Sequence, residues 1–265
     1  MSTALGDKPL LSKILTRDRV AIWIGLAGIT LMSWLYLFDM AGNMGGMNAA
    51  APMVMEPVST AWTATDARIM FAMWWIMMIG MMLPSAAPMI LTFATINRKK
   101  REREQPFVPT TIFASGYLAA WGGFSIFATA AQWGLQEAAL ITPMLVANNS
   151  ILAGAIFIGA GIYQWTPLKH MCLKNCRSPL NYIIKSWRGG HRGAFVMGWQ
   201  HGLYCLGCCW LVMAILFAVG VMNLIWIGII AAFVFVEKLF PAGEWIARLS
   251  GILMIGAGIY LVAIG

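Results

Sequence analysis

The sequence predicts an all-α, polytopic membrane bundle of about seven spans with its N-terminus in the cytoplasm. Three observations carry that prediction. Only 11% of the 265 residues are charged and 60% are hydrophobic, with a mean hydropathy of +0.74, whereas an ordinary soluble domain carries about 25% charged residues. Apolar runs of about twenty residues recur along the chain, each long enough to cross a hydrocarbon core of about 30 Å. The basic residues gather in every second connection between those runs.

Residues 1–19 (MSTALGDKPLLSKILTRDR) lack the order of basic start, short apolar stretch and small-residue cleavage site, so no removable signal peptide is expected. They read as a cytoplasmic N-terminal segment, and 20–265 as a single transmembrane helical domain. The spans are expected at 20–38, 67–96, 110–135, 149–167, 194–219, 222–237 and 247–264. Lipid offers no partner to an open sheet edge, so they are helices. Lys8, Lys13, Arg17 and Arg19 precede the first span, and RKKRER (98–103) follows the second. Six basic residues from Lys169 to Arg192 follow the fourth, and Lys238 and Arg248 lie between the sixth and seventh. The connections after the first, third and fifth spans hold no Lys or Arg until Arg68. The positive-inside rule then places the N-terminus in the cytoplasm and the C-terminus outside. The net charge of +8 is a topology signal and gives no reason to propose nucleic acid. The run at 98–104 suits an anchor on anionic lipid.

Two features concern packing. IGAGIY occurs at 158–163 and again at 255–260, where small residues let helices approach closely; an internal duplication is the other reading. Pro84 and Pro88 are expected to kink the second span, and such breaks often border a cavity.

The chemistry-bearing residues are soft. HGLYCLGCCW (201–210) places His201, Cys205, Cys208 and Cys209 within about a third of a helix circumference. The preceding connection (168–193) holds His170, Cys172 and Cys176 in PLKHMCLKNCRSP. All five cysteines thus fall on the cytoplasmic side, where thiols stay reduced and a structural disulfide is not expected. Thiolate with imidazole suits Cu(I), with zinc as the other candidate. Small apolar-tolerant packing would explain one or two such cysteines, but not five with two histidines. Cys205-Leu-Gly-Cys208 is also a C-x-x-C, which opens a thiol-disulfide oxidoreductase reading, although membrane pairs of that kind are normally placed near the outer face.

Methionine is the second signal, with 20 in the chain. Met70, Met73, Met77 and Met81 form a stripe on the second span, with Met78 and Met82 beside it. The first outer loop (39–66) holds Met40, Met44, Met47, Met53 and Met55. Thioethers favour Cu(I) and form no disulfides. Adaptable packing competes with this reading for the span, less so for a Gly-rich loop. Glu237 is a candidate group to support the metal's ligands from behind, or a plain ion-pair partner of Lys238. No Walker loop, dinucleotide fingerprint, HExxH or GxSxG is present.

MMLPSAAPM (81–89), PLKHMCLKNCRSP (167–179), HGLYCLGCCW (201–210), GVMNLIW (220–226) and VEKL (236–239) resemble a bacterial family of predicted metal-binding integral membrane proteins. It is filed as a domain of unknown function, with some members labelled copper chaperones. The resemblance covers roughly 66–262 and implies Cys172, Cys176, Cys205, Cys208 and Cys209 as the thiol set. The expected protein is a multi-pass protein of the bacterial inner membrane that binds Cu(I) at a cytoplasmic Cys/His site and receives it from the outer Met-rich loop. It would act as chaperone, importer or metallation factor, with a soluble metallochaperone or a membrane metalloenzyme as partner. An accessory subunit with a structural metal is the third alternative.

Overall fold

The computed structural model describes the backbone of residues 8–50, 62–101, 108–142 and 147–264, with side chains over 19–42, 62–98, 108–142 and 147–264. The described residues form nine helices: α1 (Lys8–Ala50), α2 (Ala64–Arg101), α3 (Thr110–Glu137), α4 (Ser150–Tyr163), α5 (Pro167–Arg177), α6 (Pro179–Ser186), α7 (Gly190–Val219), α8 (Leu224–Leu239) and α9 (Gly243–Ile264). The chain is an all-α, multi-pass membrane bundle. Its outward surface carries Ile24, Leu31 and Met32 on α1 and Trp245, Leu253 and Tyr260 on α9, all exposed, a coat that lipid rather than water tolerates.

Five helices are long and apolar enough to cross a bilayer, within Arg19–Gly42, Ala64–Arg98, Thr110–Glu137, Gly190–Val219 and Gly243–Ile264. A sixth crossing is available if α4 and α5, bent by 65° at their junction, count as one broken span. The expected count of seven is therefore not reached on length. The reason lies in α4 and α8, whose 14 and 16 residues rise only about 21 and 24 Å. Local chemistry fixes these short lengths. The Asn149 side chain accepts Ile151 N–H at the start of α4. Thr166 caps α5, accepting Lys169 N–H at 3.4 Å, with Pro167 in the first turn. Asn223 caps α8, accepting from Ile225 and Trp226. The 168–193 connection is mostly helical, as α5 and α6.

Buried side chains concentrate on α2 and α7, the centre of the bundle. α7 packs on α3, α4, α5 and α8; α2 packs on α1, α3, α6 and α8. At the α3–α7 crossing, a Cβ on Gly198 would lie 1.9 Å from Phe113 O, so the backbones touch. α2 continues as helix through both prolines. Pro84 has no N–H for the carbonyl of Gly80, and Trp34 Nε1 of α1 donates to that oxygen at 3.3 Å instead. The α4–α9 pair explains the repeated hexapeptide. Gly154 faces Gly258 and Gly161 faces Gly251, each Cβ position 2.7–2.9 Å from the opposite carbonyl. The pair runs antiparallel, and only the second glycine of each hexapeptide, Gly161 and Gly258, lies at the seam. Gly159 and Gly256 face open space.

Candidate metal centre

α7 carries the sulfur. Cys205, Cys208 and Cys209 are all fully buried and all reduced. The thiols of Cys208 and Cys209 each donate to Cys205 O at 3.0 Å, the local back-bonding that Ser and Thr use in helices. The sulfur of Cys205 instead faces other helices. It lies 2.9 Å from Lys238 Nζ of α8 and 3.1 Å from the hydroxyl of Tyr117 on α3. Tyr117 also donates to Met82 O at 3.1 Å. Lys238 donates to Ser85 Oγ at 3.2 Å, and Ser85 donates to Met82 O. The turn of α2 around Pro84 therefore forms one wall of the thiol cluster.

The sequence-predicted residues divide into those that converge and those that do not. α5 brings the Cys176 thiol beside Cys208. Cys172 packs on Gly207, its sulfur 2.6 Å from where a Cβ would stand there. Tyr163 donates to Gly207 O from the other side. Met82 Sδ of α2 lies 4.0 Å from Cys209 Sγ. Thiols from two helices and a thioether from a third thus come together inside the bundle.

His201 does not join them by any hydrogen bond. Its ring is buried among Tyr117, Tyr182 and Phe113, with centroids 5.5, 5.7 and 6.4 Å away. Its Nδ1 has no hydrogen-bond partner among the described residues. Burial raises the phenol of Tyr182 well above its ordinary pKa, so it remains the donor to Met197 O at 2.7 Å. His170 lies about 200° around α5 from Cys172 and contacts no thiol among the described residues. Among these residues, no group of three or more His, Cys, Asp or Glu side chains is arranged to hold a metal ion.

Glu237 pairs with Lys169 of α5, not with Lys238. Lys169 Nζ lies 2.5 Å from Glu237 Oε1, with both side chains buried. The contact is an ion pair without hydrogen-bond alignment, and Glu237 Oε2 has no partner among the described residues. Gln164 accepts a hydrogen bond from the same ammonium.

On α2, Met73, Met77, Met78, Met81 and Met82 are fully buried. Met70, at the other end of the stripe, is half-buried and accepts from Gln132 Nε2 at 3.4 Å, while Gln132 accepts from Trp74 Nε1 at 2.8 Å. Met44 and Met47 sit on helical backbone of α1 with side chains outside the described residues, and Met53 and Met55 lie wholly outside them.

Sequence reasoning missed Lys238 and Tyr117. The available signal was an ammonium in VEKL at the end of an apolar run, since ionisable residues inside a membrane are costly and mark function by default.

A family model named PpoB2 and described as copper chaperone matches residues 71–261. The matched stretch holds every cysteine, Lys169, Glu237 and Lys238; α1 and the Met-rich segment 39–66 lie outside it. No curated protein and no solved structure matches the chain. With most of its length matched, the chain belongs to the PpoB2 copper chaperone family.

Proposed function

We propose that this protein handles Cu(I) as cargo in the bacterial inner membrane, holding it on the thiols of α7. The observation that carries the reading is the convergence of Cys176, Cys205, Cys208, Cys209 and Met82 from three helices. Thiolate and thioether together select Cu(I) among the common metals. Cu(I) accepts linear or trigonal sulfur coordination, so a full set of three or more His, Cys, Asp or Glu ligands is not required. Zinc prefers four ligands in a tetrahedron and fits this donor set less well. Cys172, His170 and His201 are outer candidates that would need to shift to reach the ion.

The positive-inside pattern supports a cytoplasmic N-terminus. α4 and α8 then complete seven crossings as short helices; α4 runs antiparallel to the span-length α9, seam to seam. That orientation puts the thiol pocket toward the cytoplasm and Met70 toward the outside. Copper taken up by the outer Met-rich segment would pass along the α2 methionines to Cys209. A soluble metallochaperone or a membrane metalloenzyme would receive it.

The test is metal content by mass spectrometry on detergent-purified protein kept anaerobic, with a free-thiol count. The expected result is about one copper per wild-type chain, the level of a single site, lost in Cys205→Ser/Cys208→Ser. No metal, with Cys205 and Cys208 cycling between dithiol and disulfide, would replace this reading with the oxidoreductase. Zinc in place of copper would make the site a structural clasp.

A further inference from the structure

Lys238 is an ammonium without a carboxylate. It is buried near the C-terminal end of α8, and its hydrogen-bond partners are Cys205 Sγ and Ser85 Oγ. Glu237 is adjacent in sequence, but neighbours on a helix point about 100° apart. That carboxylate is ion-paired with Lys169. Among the described residues, no carboxylate lies within ion-pair distance of Lys238. One carboxylate therefore serves one of two buried ammoniums, and the second is left facing sulfur. A buried charge is tolerated only when it is paired, and the groups able to balance this one are the thiols of α7.

We propose that Lys238 is the built-in counter-ion of the thiol site and selects a monovalent soft cation over a divalent one. This rests on the copper reading above. A monovalent ion on two thiolates carries one negative charge, and Lys238 brings the cluster to neutrality. A divalent ion on the same two thiolates is already neutral, and Lys238 leaves it with an unbalanced positive charge in an apolar surround. A divalent ion would need a third thiolate to reach the same balance, and the next thiol on α7, Cys209, would have to give up its hydrogen bond to Cys205 O. Binding changes no oxidation state: each ligand thiol gives up its proton to water as its sulfur–metal bond forms, and Lys238 keeps its own. Ser85 is a second acceptor that holds the ammonium beside the ion.

The experiment uses the full chain in detergent under anaerobic conditions. Cu(I) affinity is read by competition with a Cu(I) chelator of known affinity, and Zn(II) affinity with a zinc indicator. In K238M, Cu(I) affinity is expected to fall on the order of a hundredfold, as when one partner of a buried charge pair is removed, while Zn(II) affinity holds or rises. K238R should keep Cu(I) affinity within about tenfold of wild type, because it keeps the charge and loses only the ammonium's shape. K238Q keeps a hydrogen-bond donor without the charge and should behave as K238M does. A merely structural lysine would lower both affinities together, and that result overturns the proposal, as does unchanged Cu(I) affinity in K238M. If neither neutral variant folds while K238R does, the charge serves the fold and the selectivity role is overturned. Absence of Cu(I) from the wild type overturns the copper reading itself.

Discussion

The two sides of α8 solve the same problem differently. On one side, Lys169 is buried against Glu237 and Gln164. On the other, Lys238 is buried against Cys205 and Ser85. The first ammonium meets a carboxylate from its own chain and forms a closed structural pair. The second meets sulfur, whose charge depends on what it binds. A fixed partner makes a clasp between α5 and α8, whereas a conditional partner is what the proposed copper site requires. Arg177 reinforces the clasp, donating to Phe240 O and Pro241 O at the C-terminus of α8.

Breaking the clasp should give the largest effect on stability. Glu237→Gln leaves Lys169 buried and unpaired, a loss of about 3–5 kcal/mol. The expected result is a lower melting temperature in detergent, or no recoverable folded protein. Replacing both partners, Lys169→Met with Glu237→Gln, should recover much of the loss, because no uncompensated charge remains. If the double variant melts as low as Glu237→Gln alone, the pair is not a closed unit and the contrast with Lys238 fails.

A smaller effect separates the glycines within one hexapeptide. A methyl group on Gly161 would stand 2.6 Å from Ile255 Cγ1 and 2.7 Å from Gly251 O, so α4 and α9 would have to part. Overpacking of that kind costs about 1–3 kcal/mol. Gly159→Ala, two residues earlier, meets nothing within 4 Å and should be neutral or stabilising by up to about 1 kcal/mol, since Ala is the better helix former. Thermal melts of the two variants, side by side, check the assignment of the seam. Equal melting temperatures would place the α4–α9 contact elsewhere.

The parts legible in the sequence were those governed by local periodicity. The one-turn spacing of Cys205 and Cys209, and the stripe from Met70 to Met81, follow from 3.6 residues per turn, and α7 and α2 bury those faces. The break between α4 and α5 was also written locally, in Thr166-Pro167, a cap followed by a first-turn proline. A hydropathy window over 149–167 averages across that break and reads one span. Charge partners were not legible, because they are set by packing between distant segments. Glu237 and Lys238 look like an adjacent ion pair in sequence, yet their directions on α8 send them to α5 and α7. His201 shows the same limit: spacing put it on the face of the cysteines, and the aromatic rings of α3 and α6 claimed it.

A last prediction turns from stability to the other half of the comparison, a proposed site that has to be reached. Met73, Met77 and Met81 fill the core between the Gln132 end of α2 and the thiol pocket. Leucine conserves their volume, and such swaps cost less than about 1.5 kcal/mol each. It also removes the thioether, the only soft donor these positions offer. Met73→Leu/Met77→Leu should therefore fold and keep equilibrium copper on the α7 thiols, but fill that site more slowly. The measurement is a time course of copper capture in proteoliposomes given Cu(I) on the face to which Met70 is nearer. Slowed filling with an unchanged endpoint makes the stripe a route. An unchanged rate makes these methionines packing, and the thiols must then be filled from the side on which α5 and α8 meet.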